Sequence, residues 1–163
     1  MRRRLTAVLL VVATCHTCRP EETPGGIRLL DGYKIRRHSS VDVDAWSIEN
    51  DRGLRINCSI GPGGPEADPK KRAGEYSWHK QQTVNGHSVI IAMIPRGKKT
   101  DYDKLAEYKR KGSPPSNILI ISFLLGEPKP DSSLDCSAKV ADSEEIADML
   151  LMILTADPSK GFF

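Results

Sequence analysis

Trp78-His79-Lys80-Gln81-Gln82-Thr83-Val84-Asn85-Gly86-His87-Ser88-Val89-Ile90-Ile91-Ala92-Met93-Ile94 is two strand-like runs around Asn85-Gly86. A two-residue type I′ turn needs positive φ at both central residues, which Asn and Gly tolerate, and its twist matches that of paired strands. With the turn as centre, Val84 opposes His87 and His79 opposes Ala92. Pro95 closes the second run. This hairpin predicts antiparallel pairing, and the segments around it read the same way.

Upstream, Leu54-Arg55-Ile56-Asn57-Cys58-Ser59-Ile60 alternates at period two. Leu54, Ile56, Cys58 and Ile60 share the expected core face, and Arg55, Asn57 and Ser59 face water or a thin polar layer. Asn50-Asp51-Arg52-Gly53 is a turn by composition, with candidate strands at Ala45–Glu49 and Tyr33–Arg37 before it. Three prolines and four glycines make 61–74 a loop. Downstream, Ile118-Leu119-Ile120-Ile121-Ser122-Phe123-Leu124-Leu125 is continuously apolar and reads as a central strand covered on both faces. Cys136–Val140 is one more short strand. Residues 96–117 are basic and irregular, with a short helix expected over 101–111.

The last element is a helix over Asp142–Thr155. Asp142 caps it and Glu145 follows three residues on. Ile146, Met149, Leu150, Ile153 and Leu154 form a stripe at helical spacing, expected to pack on the Ile118–Leu125 strand. Leu151 and Met152 fall outside the stripe, on the side of Asp148. They are the expected partner surface unless a loop of the same chain covers them. Trp78 reads as a core anchor. The fold class is α+β: an antiparallel β-sheet of five to seven strands with one C-terminal α-helix packed on it. A small β-sandwich with the helix as a lid is the alternative.

At 163 residues and 39% hydrophobic, the chain can bury one core. The net charge of +3 comes entirely from Arg2, Arg3 and Arg4; the rest carries 21 basic and 21 acidic side chains. No field remains that would single out nucleic acid. Those arginines precede a charge-free run from Leu5 to Thr14, the pattern of a secretory signal. The run is too short for a stable span of about 20 residues. The expected organisation is a signal peptide over 1–14, a polar Pro/Gly-containing linker over 15–32, one α+β domain over 33–157 and a tail over 158–163. Val12-Ala13-Thr14-Cys15 resembles the bacterial lipobox, which implies cleavage before Cys15 and a lipid on its sulfur; Thr14 departs from the usual residue there. The competing cut is after Ala13.

Four cysteines are present: Cys15, Cys18, Cys58 and Cys136. In an oxidising compartment, Cys58 and Cys136 are the expected disulfide. It closes a loop worth about 4–5 kcal/mol in the chain-entropy model. Cys15-His16-Thr17-Cys18 has neither the strand–helix context of a redox motif nor a second ligand pair for zinc. Gly97-Lys98-Lys99-Thr100 lacks the earlier glycine of a phosphate-binding loop. Gly-x-Ser-x-Gly is absent from the sequence. Lys70-Lys71-Arg72 reads as a solvated loop.

Signal, short linker, sheet and C-terminal helix together resemble the plan of small exported, lipoprotein-like bacterial proteins, a resemblance that assigns no activity. The expected role is an exported, non-enzymatic envelope protein acting as an interaction or accessory module. Expected locations are periplasmic, outer-envelope or secreted. No cofactor, catalytic residue or metal is expected. A protein partner or self-association is, with membrane contact only through a lipid on Cys15. The alternative is a small exported hydrolase with dispersed catalytic residues.

Overall fold

Asn85 and Gly86 adopt φ of 50° and 83°, the left-handed pair that the type I′ turn requires. They join β4 (Trp78–Val84) to β5 (His87–Ile94), with Val84 opposite His87 and His79 opposite Ala92. The fold comes from a computed structural model, which describes residues 23–38, 43–62, 64–70, 72, 74–95, 117–126 and 131–160. The signal segment with Cys15, His16 and Cys18, the Gly97–Thr100 stretch and the expected helix at 101–111 lie outside the described residues.

The remaining strands are β1 (Tyr33–His38), β2 (Asp44–Asn50), β3 (Arg55–Pro62), β6 (Asn117–Leu125) and β7 (Ser132–Val140). All seven form one antiparallel sheet in the order β1-β2-β3-β7-β6-β5-β4. The sandwich alternative does not form. Two meanders, β1–β3 and β4–β7, are joined by the pairing of β3 with β7. At the middle of that pairing Cys58 lies directly opposite Cys136. Their Cα atoms are 4.1 Å apart and a disulfide joins them. Both are buried.

Strand alternation divides the side chains between two faces. Trp46, Ile48, Ile56, Cys58, Val89, Ile91, Leu119, Ile121, Phe123, Leu134, Cys136 and Val140 face one way and form the larger core cluster. Helix α1 (Ser143–Ile153) covers them with Met149, Met152 and Ile153. Asp142 caps it through the amides of Glu144 and Glu145, and Glu145 accepts from the amide of Ala141, so both sides of the turn satisfy orphan donors.

The helix crosses the face on a diagonal. At its start Arg52, in the β2–β3 turn, pairs with Glu144 and Asp148, and the Tyr33 hydroxyl donates to Asp148 at 2.6 Å. Just past its end, the Asn85 amide donates to the Ala156 carbonyl at 2.8 Å. Met149, Met152 and Ile153 of the helix share one core cluster with Leu119, Ile121 and Phe123 of the Ile118–Leu125 strand and with residues of the other strands.

Three boundaries move. Residues 23–32 are not a linker but part of the core layer. Pro24–Gly26 form a 3₁₀ turn, Ile27 is fully buried, and the amide of Arg28 donates to Thr155 at 2.7 Å. The tail also begins folded, since Pro158–Lys160 form a second 3₁₀ turn and the Asp157 amide donates to the Gly25 carbonyl. The strand expected at Cys136–Val140 starts earlier, at Ser132, because β3 and β6 flank it over that whole length.

Two side chains are corrected. Met152 is fully buried, while Leu151 is 62% exposed. The buried stripe is Met149, Met152, Ile153 and Ala156, with Ile146, Leu150 and Leu154 half-buried beside it. A helix that is apolar around most of its circumference leaves its rotation to tertiary contacts, and those turned it toward Met152. Trp78 is 49% exposed rather than a core anchor, because β4 is an edge strand and its first residue lies away from the diagonal of α1.

Two measurements check this packing. Ile153→Ala should lower the unfolding free energy in urea by about 2–5 kcal/mol, as for a buried side chain, while Leu151→Asp should change it by less than about 0.5 kcal/mol. The second concerns Tyr33, whose pKa is pushed up to about 12, first by burial and then by the Asp148 carboxylate that accepts its proton. A raised pKa means that the folded state keeps a proton which the unfolded state releases from about pH 10. Stability is therefore full below pH 10 and declines as pH rises toward 12. Tyr33→Phe should flatten that decline in a pH series of urea melts.

Candidate functional site

The second face of the sheet is divided between two surfaces. Over β5 and β6 it is apolar, with Ile90, Ala92, Ile94, Ile118 and Ile120 clustered with Ala67 of the loop that leads from β3 to β4, while β7 contributes Ser133, Asp135 and Ser137 to the same face. Over β1, β2 and β3 it is polar and uncovered by that loop. The same alternation produces both: Ile48 and Ile56 face the helix, so Ser47, Glu49, Arg55 and Asn57 must face the other way.

The loop is fixed by a buried carboxylate. Asp135 of β7 accepts from the Ser122 hydroxyl, from the Ser133 hydroxyl at 2.6 Å and from the Glu66 amide at 2.8 Å. The Ala67 amide donates to Ser122 at 3.1 Å. Tyr76 closes the far side, its hydroxyl donating to the Glu66 carbonyl at 3.2 Å; burial pushes its pKa up to about 12. A shallow cleft of about 360 Å³ remains between loop and sheet, lined by Pro65, Asp68, Pro69, Lys70, Gln81, Ile90 and Leu124. Its walls carry one acid and one base, so it presents no strong field.

On the uncovered half, His38 Nε2 lies 3.0 Å from the Ser47 hydroxyl, and that hydroxyl donates to Glu49 at 2.8 Å. Arg55 pairs with Glu49 at 3.2 Å and donates to Asn57 at 3.2 Å; Arg36 lies 3.8 Å from Glu49. The Glu49 carboxyl is held below its ordinary range, chiefly by the Ser47 hydroxyl, with burial opposing and Arg55, Arg36 and His38 adding to the depression. Serine, histidine and glutamate side by side invite comparison with a hydrolase triad. Their order does not fit one. In a triad the histidine takes the serine proton and the acid holds the histidine. Here the serine proton points at the carboxylate, and Ser47 is fully buried. His38 Nε2 also lies 3.4 Å from Arg55 Nη2, so this nitrogen meets a guanidinium donor as well as the Ser47 hydroxyl, while Ser47 donates to Glu49.

Of the residues singled out from sequence, Cys58 and Cys136 are brought together. Cys15 lies outside the described residues. Leu151 is exposed and Met152 is in the core, so the two form no continuous surface. His79 and His87 are not cross-strand neighbours. Arg72 is held by Glu75 at 3.2 Å, and Lys70 is an exposed loop residue. Sequence reading missed Asp135 and the His38–Ser47–Glu49 chain. The signal for the first was present: Ser133, Asp135 and Ser137 alternate with Leu134, Cys136 and Ala138. Among the described residues no cluster of His, Cys, Asp and Glu could hold a metal, and no helix is long and apolar enough to cross a membrane. The chain matches no protein-family model, no curated protein and no solved structure.

Asp135 gives this arrangement a test. Asp135→Ala leaves two hydroxyls and one amide without their acceptor, and unsatisfied buried groups cost about 1–3 kcal/mol each before water relieves them. A loss of about 2–4 kcal/mol in urea unfolding is expected, together with faster protease cleavage between residues 63 and 75. Asp135→Asn, which keeps an acceptor oxygen, should lose less on both counts.

Proposed function

We propose that the protein is an exported, non-enzymatic interaction module of the cell envelope, carried by a signal segment over residues 1–14 and released or lipid-anchored at Cys15. What supports the non-enzymatic reading is Ser47. Among the described residues it is the serine hydrogen-bonded to a histidine, it is sealed from solvent, and its hydroxyl donates to Glu49. A nucleophile must reach a substrate carbonyl and must hand its proton to a base as it attacks. Ser47 meets neither condition. The uncovered half of the second face, a ledge of Lys34, Arg36, His38, Glu49, Arg55 and Asn57, is the surface left for a protein partner. The disulfide between Cys58 and Cys136 is compatible with an oxidising compartment.

A serine-reactive fluorophosphonate on the native exported protein separates the two classes. A module leaves the probe unreacted, and the mass of the intact protein is unchanged. Stoichiometric labelling at Ser47, abolished by Ser47→Ala, would instead establish the exported hydrolase. The same mass spectrum reads the export claim. Loss of residues 1–13, or loss of 1–14 with acyl chains on Cys15, is expected; a full-length cytosolic product refutes it.

A further inference from the structure

The two edges of the sheet are built differently. β1 carries Lys34, Arg36, Arg37 and His38 in six residues, a density of charge that guards an edge against pairing. β4, at the other edge, has a single lysine, no proline and uninterrupted pairing with β5 from Trp78 to Val84. Its side chains are exposed from Trp78 to Gln81. Among the described residues nothing pairs with its outer backbone edge.

We propose that β4 pairs with β4 of a second copy of this chain, antiparallel and in one register, centred on Gln81. The hairpin sets which backbone groups face outward. Val84 and His87 flank a two-residue turn and so form a hydrogen-bonded pair. Backbone groups then point toward β5 at Val84, Gln82 and Lys80, and away from it at Thr83, Gln81 and His79. A twofold axis between identical antiparallel strands sets one residue opposite itself. A residue of either phase can sit on the axis, because a non-hydrogen-bonded pair there is flanked by hydrogen-bonded ones. Gln81, the middle residue of Trp78–Val84, is the centre that gives the full overlap of the strand and lets all three outward residues pair, His79 with Thr83 and Gln81 with itself.

In this register the sequence is complementary to itself. Gln81 meets Gln81 of the second copy on the second face, and His79 meets Thr83. On the first face Lys80 meets Gln82, and the half-exposed Trp78 covers Val84. No two like charges stand opposite. Pairing one seven-residue edge buries less than the roughly 1,200–2,000 Å² of a standard interface, so the association is weak and depends on concentration. It uses an edge remote from the polar ledge on β1–β3 and does not depend on the function proposed for that ledge.

The test uses the full chain with Gln81→Cys. Cα atoms in a hydrogen-bonded antiparallel pair are about 5.5 Å apart, within reach of a disulfide. Mild oxidation should yield a covalent dimer on a non-reducing gel. Lys80→Cys, which faces Gln82 instead of itself, should remain monomeric, with the unsubstituted chain reading any linkage through Cys15 and Cys18. In sedimentation velocity the unsubstituted chain should shift from monomer to dimer with concentration. Gln81→Lys should stay monomeric with an unchanged melting temperature, and mixing it with Gln81→Glu should restore a dimer. A chain that stays monomeric throughout the series overturns the proposal. So does equal cross-linking at positions 80 and 81, or a dimer that Gln81→Lys leaves intact.

Discussion

The pairing of β3 with β7 holds the molecule together. Each meander is local: β1, β2 and β3 succeed one another, and so do β4, β5, β6 and β7. Neither has to meet the other until Arg55–Pro62 lies along Ser132–Val140. Contacts of long sequence separation incur loop-closure entropy before they return any energy. The disulfide lies at the middle of this pairing, joining residues 78 apart in sequence. It removes part of that entropy from the unfolded chain. At the β1–β2 or β4–β5 pairing the same bond would close a short loop and do much less.

The same pairing decides what covers the second face. β3 ends at one end of the sheet and β4 begins at the other, beyond β7, β6 and β5. The connection must therefore cross those three strands. A loop that crosses a sheet brings backbone donors over apolar surface, and each needs an acceptor. Asp135 and Ser122 supply acceptors for the amides of Glu66 and Ala67. The buried carboxylate is thus a consequence of topology: the loop that keeps Ile90, Ile120 and Ala92 dry has to be tied down at its own backbone. The crossing leaves β1–β3 outside its path, which is why their second face carries charge.

The sequence made the sheet readable and left the layers above it obscure, for physical reasons. Period-two alternation at Leu54–Ile60, the Asn85-Gly86 turn and the apolar run at Ile118–Leu125 are local properties, and each strand stands where they indicate. The pairing of Cys58 with Cys136 was legible from compartment logic and the phase of one cysteine. The rotation of α1 was not, because Leu150, Leu151, Met152 and Leu154 are equally apolar and only the clasps at Tyr33, Arg52 and Asn85 choose among them. Nor was the packing of Ile27, Leu29 and Leu30 against the core, since a Pro/Gly-rich segment looks the same as a tether until something lies under it. His38 and Ser47 are nine residues apart, and nothing in either tells that the β1–β2 register brings them within hydrogen-bond reach.

The chain of polar groups from His38 to Arg55 illustrates how little residue type says without order. Glu49 has two arginines within salt-bridge distance and a serine hydroxyl pointed at it. Each interaction stabilises the anion, and together they depress its pKa. A carboxylate stabilised in that way is a weaker proton acceptor than an ordinary glutamate. Reversing the order, with the carboxylate on the far side of the histidine, would polarise the imidazole instead and leave the hydroxyl proton free to move. The β-register forbids that reversal: Ser47 and Glu49 are two residues apart on one strand, side by side on one face, while His38 reaches Ser47 from the neighbouring strand. With Glu49 held on its own strand beside Ser47, the carboxylate bonds the serine, and the three groups clamp β1 to β2, with Arg55 extending the clamp to β3.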